Sequence, residues 1–175
     1  MLIKIIGTIT VAIILFLGYV STRNDYFKYE RSGIINATPE KIFPYISQFK
    51  LGSEWSPYEK GIEIEKKYGG TEGAVGSWME FGPSQSGSGK IEILEIEPMK
   101  MVKLNLHMTA PFEGTNTVYY YLSPEQQGTR FTWIMEGHGG FMGKLMTTLI
   151  DCEKMVGGQF SDGINNLKTL IESQK

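Results

Sequence analysis

The amino-acid sequence predicts an α+β protein: a curved antiparallel β-sheet of about seven strands wrapped around a long C-terminal helix, preceded by a transmembrane helix. Three observations predict this architecture. The first twenty residues carry one ionic side chain, Lys4. Runs of β-type residues then follow one another without a helical pattern between them. After residue 140, apolar residues recur at intervals of three and four.

The composition suits one globular domain plus an appendage. Of 175 residues, 41% are hydrophobic and 21% are charged. The 17 basic and 19 acidic residues give a net charge of −2 without a basic run, which argues against nucleic-acid binding. A single cysteine, Cys152, rules out an intramolecular disulfide. Because His107 and His138 lie far apart in the chain, the sequence predicts neither a metal site nor a cofactor.

The N-terminal segment, residues 1–22, is predicted to be a single transmembrane anchor. From Ile5 to Val20 every residue is uncharged and most are apolar. Twenty helical residues span about 30 Å, the thickness of a bilayer hydrocarbon core. A cleaved signal peptide is the alternative, since Lys4 followed by an apolar run has the same order of regions. Tyr19 and Val20 stand where cleavage needs small residues, so the sequence favours an uncleaved anchor.

The side of the membrane is left open by the flanking charges. Arg23, Lys28 and Arg31 follow the apolar segment, whereas only Lys4 and the α-amine precede it. The positive-inside rule therefore leans towards a cytoplasmic domain. One basic residue more or less would reverse that preference.

The segment after the anchor predicts one strand, one helix and a short connection. Strand-like residues run from 26 to 35, and Thr38 followed by Pro39 is typical of a helix N-terminus. Pro44 falls inside the helix and is expected to kink or divide it. In the next stretch, "LGSEWSPYEKG", we expect a short helix or loop whose Trp55 packs inward.

Six strands are predicted next, in "IEIEKKY", "SWMEFG", "KIEILEIEP", "MVKLNLHM", "NTVYYYLSP" and "RFTWIMEG". Without crossover helices they predict an antiparallel meander, joined by glycine-rich turns such as "GGTEGAVG" and "SGSG". In "MVKLNLHM" the apolar residues face one way and His107 faces the other, towards solvent. In "RFTWIMEG" the same alternation sets Phe131, Trp133 and Met135 on the inner face.

The C-terminal segment predicts one continuous helix. Apolar residues recur at helical spacing from Leu145 to Leu170, over about seven turns. Gly157, Gly158 and Gly163 each cost about 1 kcal/mol relative to alanine in a helix interior. Such glycines suit a helix that passes close to a sheet or bends.

Several stretches occur in a fixed order between residues 27 and 171: "INATPEKIFPYIS", "EWSPYEKG", "GSGKIEILEIEP", "GTNTVYYYLSP", "GTRFTWIMEG", "FMGKLM" and "KMVGGQFSDGINNLK". Together they resemble the helix-grip fold of the START-like, or SRPBCC, superfamily, and are similar to its polyketide cyclase/dehydrase and lipid-transport branch. The resemblance implies a START-like domain over residues 23–175 with a cavity for apolar molecules between sheet and C-terminal helix. It does not imply one reaction, because the superfamily includes carriers, cyclases, hormone receptors and co-chaperone domains.

Three polar residues lie near plausible cavity walls and could act as an acid or base: Glu80, Glu136 and His138. Strand alternation assigns both carboxylates to the solvent face, and His138 lies in the turn-like "GHGG". Cys152 falls on the apolar side of the predicted helix, as a small buried hydrophobe does. The sequence therefore predicts no catalytic residue.

The inward faces predict a ligand pocket. Adaptable methionines and amphipathic tyrosines and tryptophans suit an apolar pocket with few polar anchors. The predicted ligand-binding residues are Trp55, Met79, Phe81, Leu104, Leu106, Tyr120, Phe131, Trp133, Met135, Val156 and Phe160.

The leading hypothesis is a membrane-anchored domain that binds a hydrophobic small molecule or lipid, with the loop "GHGGFMG" as a lid. One alternative is an enzyme of polyketide cyclase or dehydratase type. The other is a protein-interaction module similar to the co-chaperone members of the superfamily, with a partner that the sequence leaves unknown.

Overall fold

A computed structural model describes residues 1–84 and 87–174 of the chain and contains the predicted elements in the predicted order. A 3₁₀ helix, Phe49–Glu54, connects the second helix to the second strand. The helices are α1 (Leu2–Ser21), α2 (Pro39–Ser47), α3 (Gly140–Leu149) and α4 (Cys152–Glu172). The strands are β1 (Tyr26–Ile35), β2 (Lys66–Gly69), β3 (Trp78–Ser84), β4 (Gly87–Glu97), β5 (Met101–Ala110), β6 (Gly114–Glu125) and β7 (Gly128–His138).

The seven strands form one antiparallel sheet in the order β1-β7-β6-β5-β4-β3-β2, which confirms the predicted meander. Register shifts interrupt the pairing of β4 with β5 between Ser88 and Gly89 and between Ile93 and Glu95. Bulges of this kind bend a strand and increase its twist, so they help the sheet to curve. The turn predicted at "SGSG" lies partly outside the described residues, and its described part, 87–89, belongs to β4.

One strand boundary differs from the prediction, and the helix with an internal proline is not divided. Strand β2 begins only at Lys66, although the strand pattern starts at Ile62. Just before Lys66, the Glu65 carbonyl accepts a hydrogen bond from the Gly82 N–H of the partner strand at 2.8 Å. Beyond this point β3 is irregular, since its register with β4 shifts between Phe81 and Ser84. Pro44 lies inside α2 without dividing it.

The prediction of one continuous C-terminal helix was wrong at a single point. Ile150 adopts an extended conformation (φ −130°, ψ 141°) between α3 and α4. Asp151 then caps α4, because its carboxylate accepts a hydrogen bond from the Lys154 N–H at 3.0 Å. The stretch "GHGGFMG", predicted to be a loop, is the end of β7 and the first turn of α3.

Helix α4 packs on the concave face of the sheet through five aromatic residues, which we call the aromatic cluster. The indole of Trp133 stacks on the Phe160 ring, with centroids 4.2 Å apart and planes 8° apart. Trp55 meets Trp133 edge-on at 5.5 Å and is fixed by its own N–H, which donates to the Tyr45 carbonyl at 2.9 Å. The cluster consists of Trp55, Tyr120, Phe131, Trp133 and Phe160, all of them buried.

Helix α1 projects from this domain. All its residues are described, and Val20 is the buried one among them. The helix is long and apolar enough to cross a membrane, a test that a signal sequence would also pass.

The close approach of α4 to the sheet predicts opposite effects for two helical glycines. A Cβ atom at Gly163 would lie 2.7 Å from the Trp133 ring and 2.9 Å from Pro57, whereas one at Gly158 would meet nothing within 4 Å. We expect Gly163→Ala to lower the free energy of unfolding by about 1–2 kcal/mol through overpacking. Gly158→Ala should raise it by about 0.5–1 kcal/mol through helix propensity. Thermal unfolding of the full-length protein in detergent, followed by tryptophan fluorescence, measures both, and equal shifts of the same sign would contradict the packing described here.

Candidate functional site

The concave face of the sheet is closed at one end and open at the other. Inward residues near the aromatic cluster are buried, for example Val102, Leu104 and Ile93 at 0–1% exposure. At the opposite end, five residues that pair with one another across five strands are each partly exposed. This outer row consists of Phe27, Gly137, Asn116, Leu106 and Ile91.

Helix α4 begins deeper in the groove than the outer row. Its first residue, Cys152, lies beside Tyr29. Tyr29 is the next inward-facing residue of β1 after Phe27. Arg31, the next inward residue, reaches Glu153 of α4 with a 2.7 Å ion pair. The sheet therefore extends past the start of α4, and we call the concave surface from the partly exposed outer row towards the aromatic cluster the recess.

The predicted ligand-binding residues fall into two groups. Nine of them belong to the core around the aromatic cluster or pack against it, whereas Met79 and Phe81 lie outside that group on β3. The buried members are Trp55, Met79, Leu104, Tyr120, Phe131, Trp133 and Phe160; the partly exposed ones are Phe81, Leu106, Met135 and Val156.

An ion pair on the concave side was missed by the sequence analysis. Lys66 of β2 contacts Glu59, in the connection after the 3₁₀ helix, at 2.6 Å, and each side chain is 13% exposed. Lys66 pairs with Phe81 of β3, and Phe81 pairs with Gly89 of β4. The Lys66 side chain therefore lies on the inward face that β3 and β4 share. The missed signal is the alternation of "IEIEKKY", which sets Lys66 on the same face as Ile62 and Ile64.

Burial dominates the electrostatics of this region. It raises the pKa of the Glu59 carboxyl, an effect that the hydrogen bond from Lys66 opposes. Burial also raises the pKa of the Tyr58 and Tyr120 hydroxyls, and the charge of Glu59 adds to the shift at Tyr120. These groups are polar members of a mostly apolar interior.

Two buried side-chain polar atoms, Ser77 Oγ and the indole nitrogen of Trp133, have no hydrogen-bond partner among the described residues. The indole N–H of Trp133 makes no hydrogen bond with any described residue, although its nitrogen is fully covered. Leaving such a group unpaired costs about 1–3 kcal/mol.

The three polar residues considered for catalysis lie outside the concave face. Glu80 is exposed on the outer face of β3. Glu136 accepts a hydrogen bond from the Tyr26 hydroxyl at 2.9 Å. His138 contacts the Asp25 carboxylate through Nδ1 at 3.1 Å, at the exposed end of β7. The structure does not bring these three side chains together.

Two surface clefts, of about 400 and 440 Å³, lie elsewhere on the described chain. The first involves β2–β5 and includes the outward residues Lys67, Glu80, Lys90 and His107, together with Phe81, one of the predicted ligand-binding residues. The second lies beside the start of α2 and the β6–β7 turn. Neither is lined by a residue of α4. Both clefts are open to solvent and have charged side chains among their lining residues, whereas an apolar ligand is better held in an enclosed site with few polar groups.

Solved structures share this architecture. Protein MLL2253 from Mesorhizobium loti superposes with a TM-score of 0.65 at 17% identity, over 85% of this chain and 99% of that one. SA2116 from Staphylococcus aureus, a protein of unknown function, superposes with a TM-score of 0.64 at 12% identity, over 87% of this chain and 97% of that one. DynU16, a putative protein in the dynemicin biosynthetic locus, superposes with a TM-score of 0.59 at 12% identity, over 87% of this chain and 49% of that one. At these identities the likeness shows the fold alone.

The curved sheet and C-terminal helix define a helix-grip domain of the SRPBCC type. The chain belongs to the polyketide cyclase/dehydrase and lipid-transport family, whose model matches residues 26–172. No curated protein sequence matches it.

The Glu59–Lys66 pair predicts a pH-dependent cost for losing the lysine. In Lys66→Met the buried carboxylate has no counter-charge, so the pKa of Glu59 rises further above its ordinary value of 4.5. A raised carboxyl pKa gives stability that is present below the unfolded-state pKa and is lost as pH rises through the folded-state pKa. We expect a loss of about 2–4 kcal/mol near pH 8 that shrinks towards pH 4.

Chemical unfolding of the full-length protein across this pH range measures the effect. The double variant Glu59→Gln/Lys66→Met is the control, since it buries no charge at this position and should show no such pH dependence. An equal loss for Lys66→Met at every pH would contradict the assignment.

Proposed function

We propose that this chain is a membrane-anchored domain that binds a hydrophobic small molecule or lipid in the recess between sheet and α4. The observation that carries the proposal is the change in burial along the concave face, from the closed aromatic cluster to the partly exposed outer row. Partly exposed apolar side chains such as Leu106 and Met135 on a concave face favour a site that excludes water when filled. Each methylene transferred there from water contributes about 0.8 kcal/mol.

The interior polar groups favour a ligand that is apolar along most of its length and carries one polar group. The Trp133 N–H is a donor without an acceptor, and Lys66 is an ammonium group on the same concave side. A hydroxyl, carbonyl or carboxylate oxygen on the ligand would complement Lys66 directly, and would reach the Trp133 N–H if the aromatic cluster moved aside. Family membership agrees with this chemistry, since the family description includes lipid transport.

Helix α1 supports the anchoring part of the proposal. Its twenty residues match the thickness of a bilayer, and nearly all its apolar side chains are exposed on the domain's outside. An apolar ligand that partitions into the bilayer would then be concentrated next to the domain.

A second candidate, an enzyme of cyclase or dehydratase type, is favoured by Glu59 alone. Burial raises the pKa of this carboxyl towards the range in which a general acid or base operates. Lys66 lies 2.6 Å from this carboxylate, close enough to assist a proton transfer. Unchanged product formation by Glu59→Gln, in whatever reaction the purified protein supports, would remove this candidate.

If the ligand binds in the recess, a larger side chain that fills the recess should block ligand binding. In Leu106→Trp the larger side chain occupies the space at the outer row, so we expect the affinity for a fluorescent fatty acid to fall at least about tenfold. His107→Trp is the matched control, because the neighbouring residue faces the other side of the sheet and should bind as the unaltered protein does. Titration of the detergent-purified full-length protein measures both, and equal affinities for the two variants would contradict the site.

The ligand itself can be sought in the protein as purified. Mass spectrometry of organic extracts should find an apolar molecule in near-stoichiometric amount, reduced in Leu106→Trp and retained in His107→Trp. Extracts without such a molecule, together with no uptake of fatty-acid or sterol probes, would overturn the proposal.

A further inference from the structure

Helix α3 carries an apolar surface that the rest of the described chain leaves open. All ten of its residues are described, and none is buried. Phe141 and Met142 in its first turn are 46% and 41% exposed, and Leu149 at its end is 63% exposed. These residues lie within one arc of the helix at a rotation of 100° per residue. The helix has no acidic residue and one basic residue, Lys144, outside that arc.

Helix α3 is held at the C-terminal end of α1. The Lys144 ammonium donates a hydrogen bond to the Ser21 carbonyl at 3.0 Å, and α1 is the main packing partner of α3. Four residues, 22–25, separate α1 from β1, and a segment of that length reaches at most about 14 Å. The segment is also fixed to the start of α3, since the Gly139 N–H donates to the Asp25 carbonyl at 2.9 Å. A membrane crossed by α1 must therefore lie next to α3.

The open end of the concave face lies at the same end of the molecule. Phe27 of the outer row follows Tyr26, the first residue of β1, which is 44% exposed. The β5–β6 turn, whose Phe112 is 46% exposed, reaches this end from the other side of the row. Exposed apolar side chains of α3 and of the β5–β6 turn thus lie at the same end of the sheet as the opening of the recess.

We propose that α3 lies in the headgroup region of the bilayer that α1 crosses, with Phe141, Met142 and Leu149 among the lipid chains, and holds the opening of the recess against the membrane. This inference rests on the membrane anchoring proposed above. An apolar arc with a single lysine beside it is the arrangement of an interfacial helix whose ammonium group stays among the headgroups. A ligand passes between the acyl chains and the outer row without crossing water.

A fluorophore on α3 tests the position of the helix. In a Cys152→Ala background, Met142→Cys carries an environment-sensitive label, and Met99→Cys is the control. Met99 is similarly exposed, at 38%, but lies in the β4–β5 turn at the closed end of the sheet. In full-length protein reconstituted into vesicles of phosphatidylcholine and phosphatidylglycerol, we expect nitroxide-labelled lipids to quench the Met142 label roughly fivefold more strongly than the Met99 label.

The outcomes separate this inference from the anchoring on which it rests. Protein that fails to float with the vesicles after alkaline extraction contradicts both. Protein that floats while both labels are quenched equally contradicts the inference alone. A Met142 label that is shielded from water but not quenched by lipid also overturns it, and indicates a second copy of the chain on α3.

Transfer kinetics test the opening. The double variant Phe141→Ser/Leu149→Ser should take up a fluorescent fatty acid from the same vesicles roughly tenfold more slowly, with unchanged affinity for the probe added in detergent. Val75→Ser/Leu94→Ser is the control, since both residues are exposed, at 60% and 46%, away from α3. Equal transfer rates for the two variants would contradict a membrane-facing opening.

Discussion

The fold depends on the close contact between α4 and the sheet at Gly163. A Cβ atom there would overlap the Trp133 ring, and three residues earlier the same ring stacks on Phe160. Trp55 is brought into the contact from the connection after α2, and the Asn166 amide of α4 donates to its carbonyl at 3.1 Å. Helix, sheet and connection are therefore fixed to one another at a single point, where an interior packed at crystal-like density tolerates little change in volume.

That contact also determines where the interior can open. The aromatic cluster fills the space between sheet and helix at one end, and the strands continue past the start of α4 at the other. The outer row is the part of the concave face that α4 does not reach. In the proposed function this asymmetry gives the recess a closed apolar end, polar groups on its wall at Glu59 and Lys66, and one opening next to α1.

The sequence predicted the features that follow from periodicity. Alternation in β5 and β7 assigned Leu106, Phe131 and Trp133 to the inner face because a strand places neighbouring side chains on opposite sides. It could not show which inner residues are packed against α4 and which are partly exposed, since both kinds are apolar. Burial along the strands depends on where α4 begins, and that is a tertiary property.

The remaining errors have similar causes. The apolar spacing continues from α3 into α4, so the break at Ile150 left no gap in the pattern, and the capping potential of Asp151 was the signal overlooked. The Glu59–Lys66 pair joins a connection to a strand, a contact that no periodic pattern reports. The exposed apolar arc of α3 has the same sequence pattern as a buried helix. Periodicity identifies an apolar face but does not show whether protein or lipid covers that face.

We propose that an apolar ligand occupies the recess between the sheet and α4. Photo-crosslinking with a diazirine-bearing fatty acid, followed by peptide mapping of the full-length protein in vesicles, tests it directly. We expect crosslinks on the inward positions of β5 and β7, at Leu106 and Met135, that an excess of unlabelled fatty acid removes. Crosslinks confined to α1, or to the cleft around Lys67 and Lys90, would contradict it.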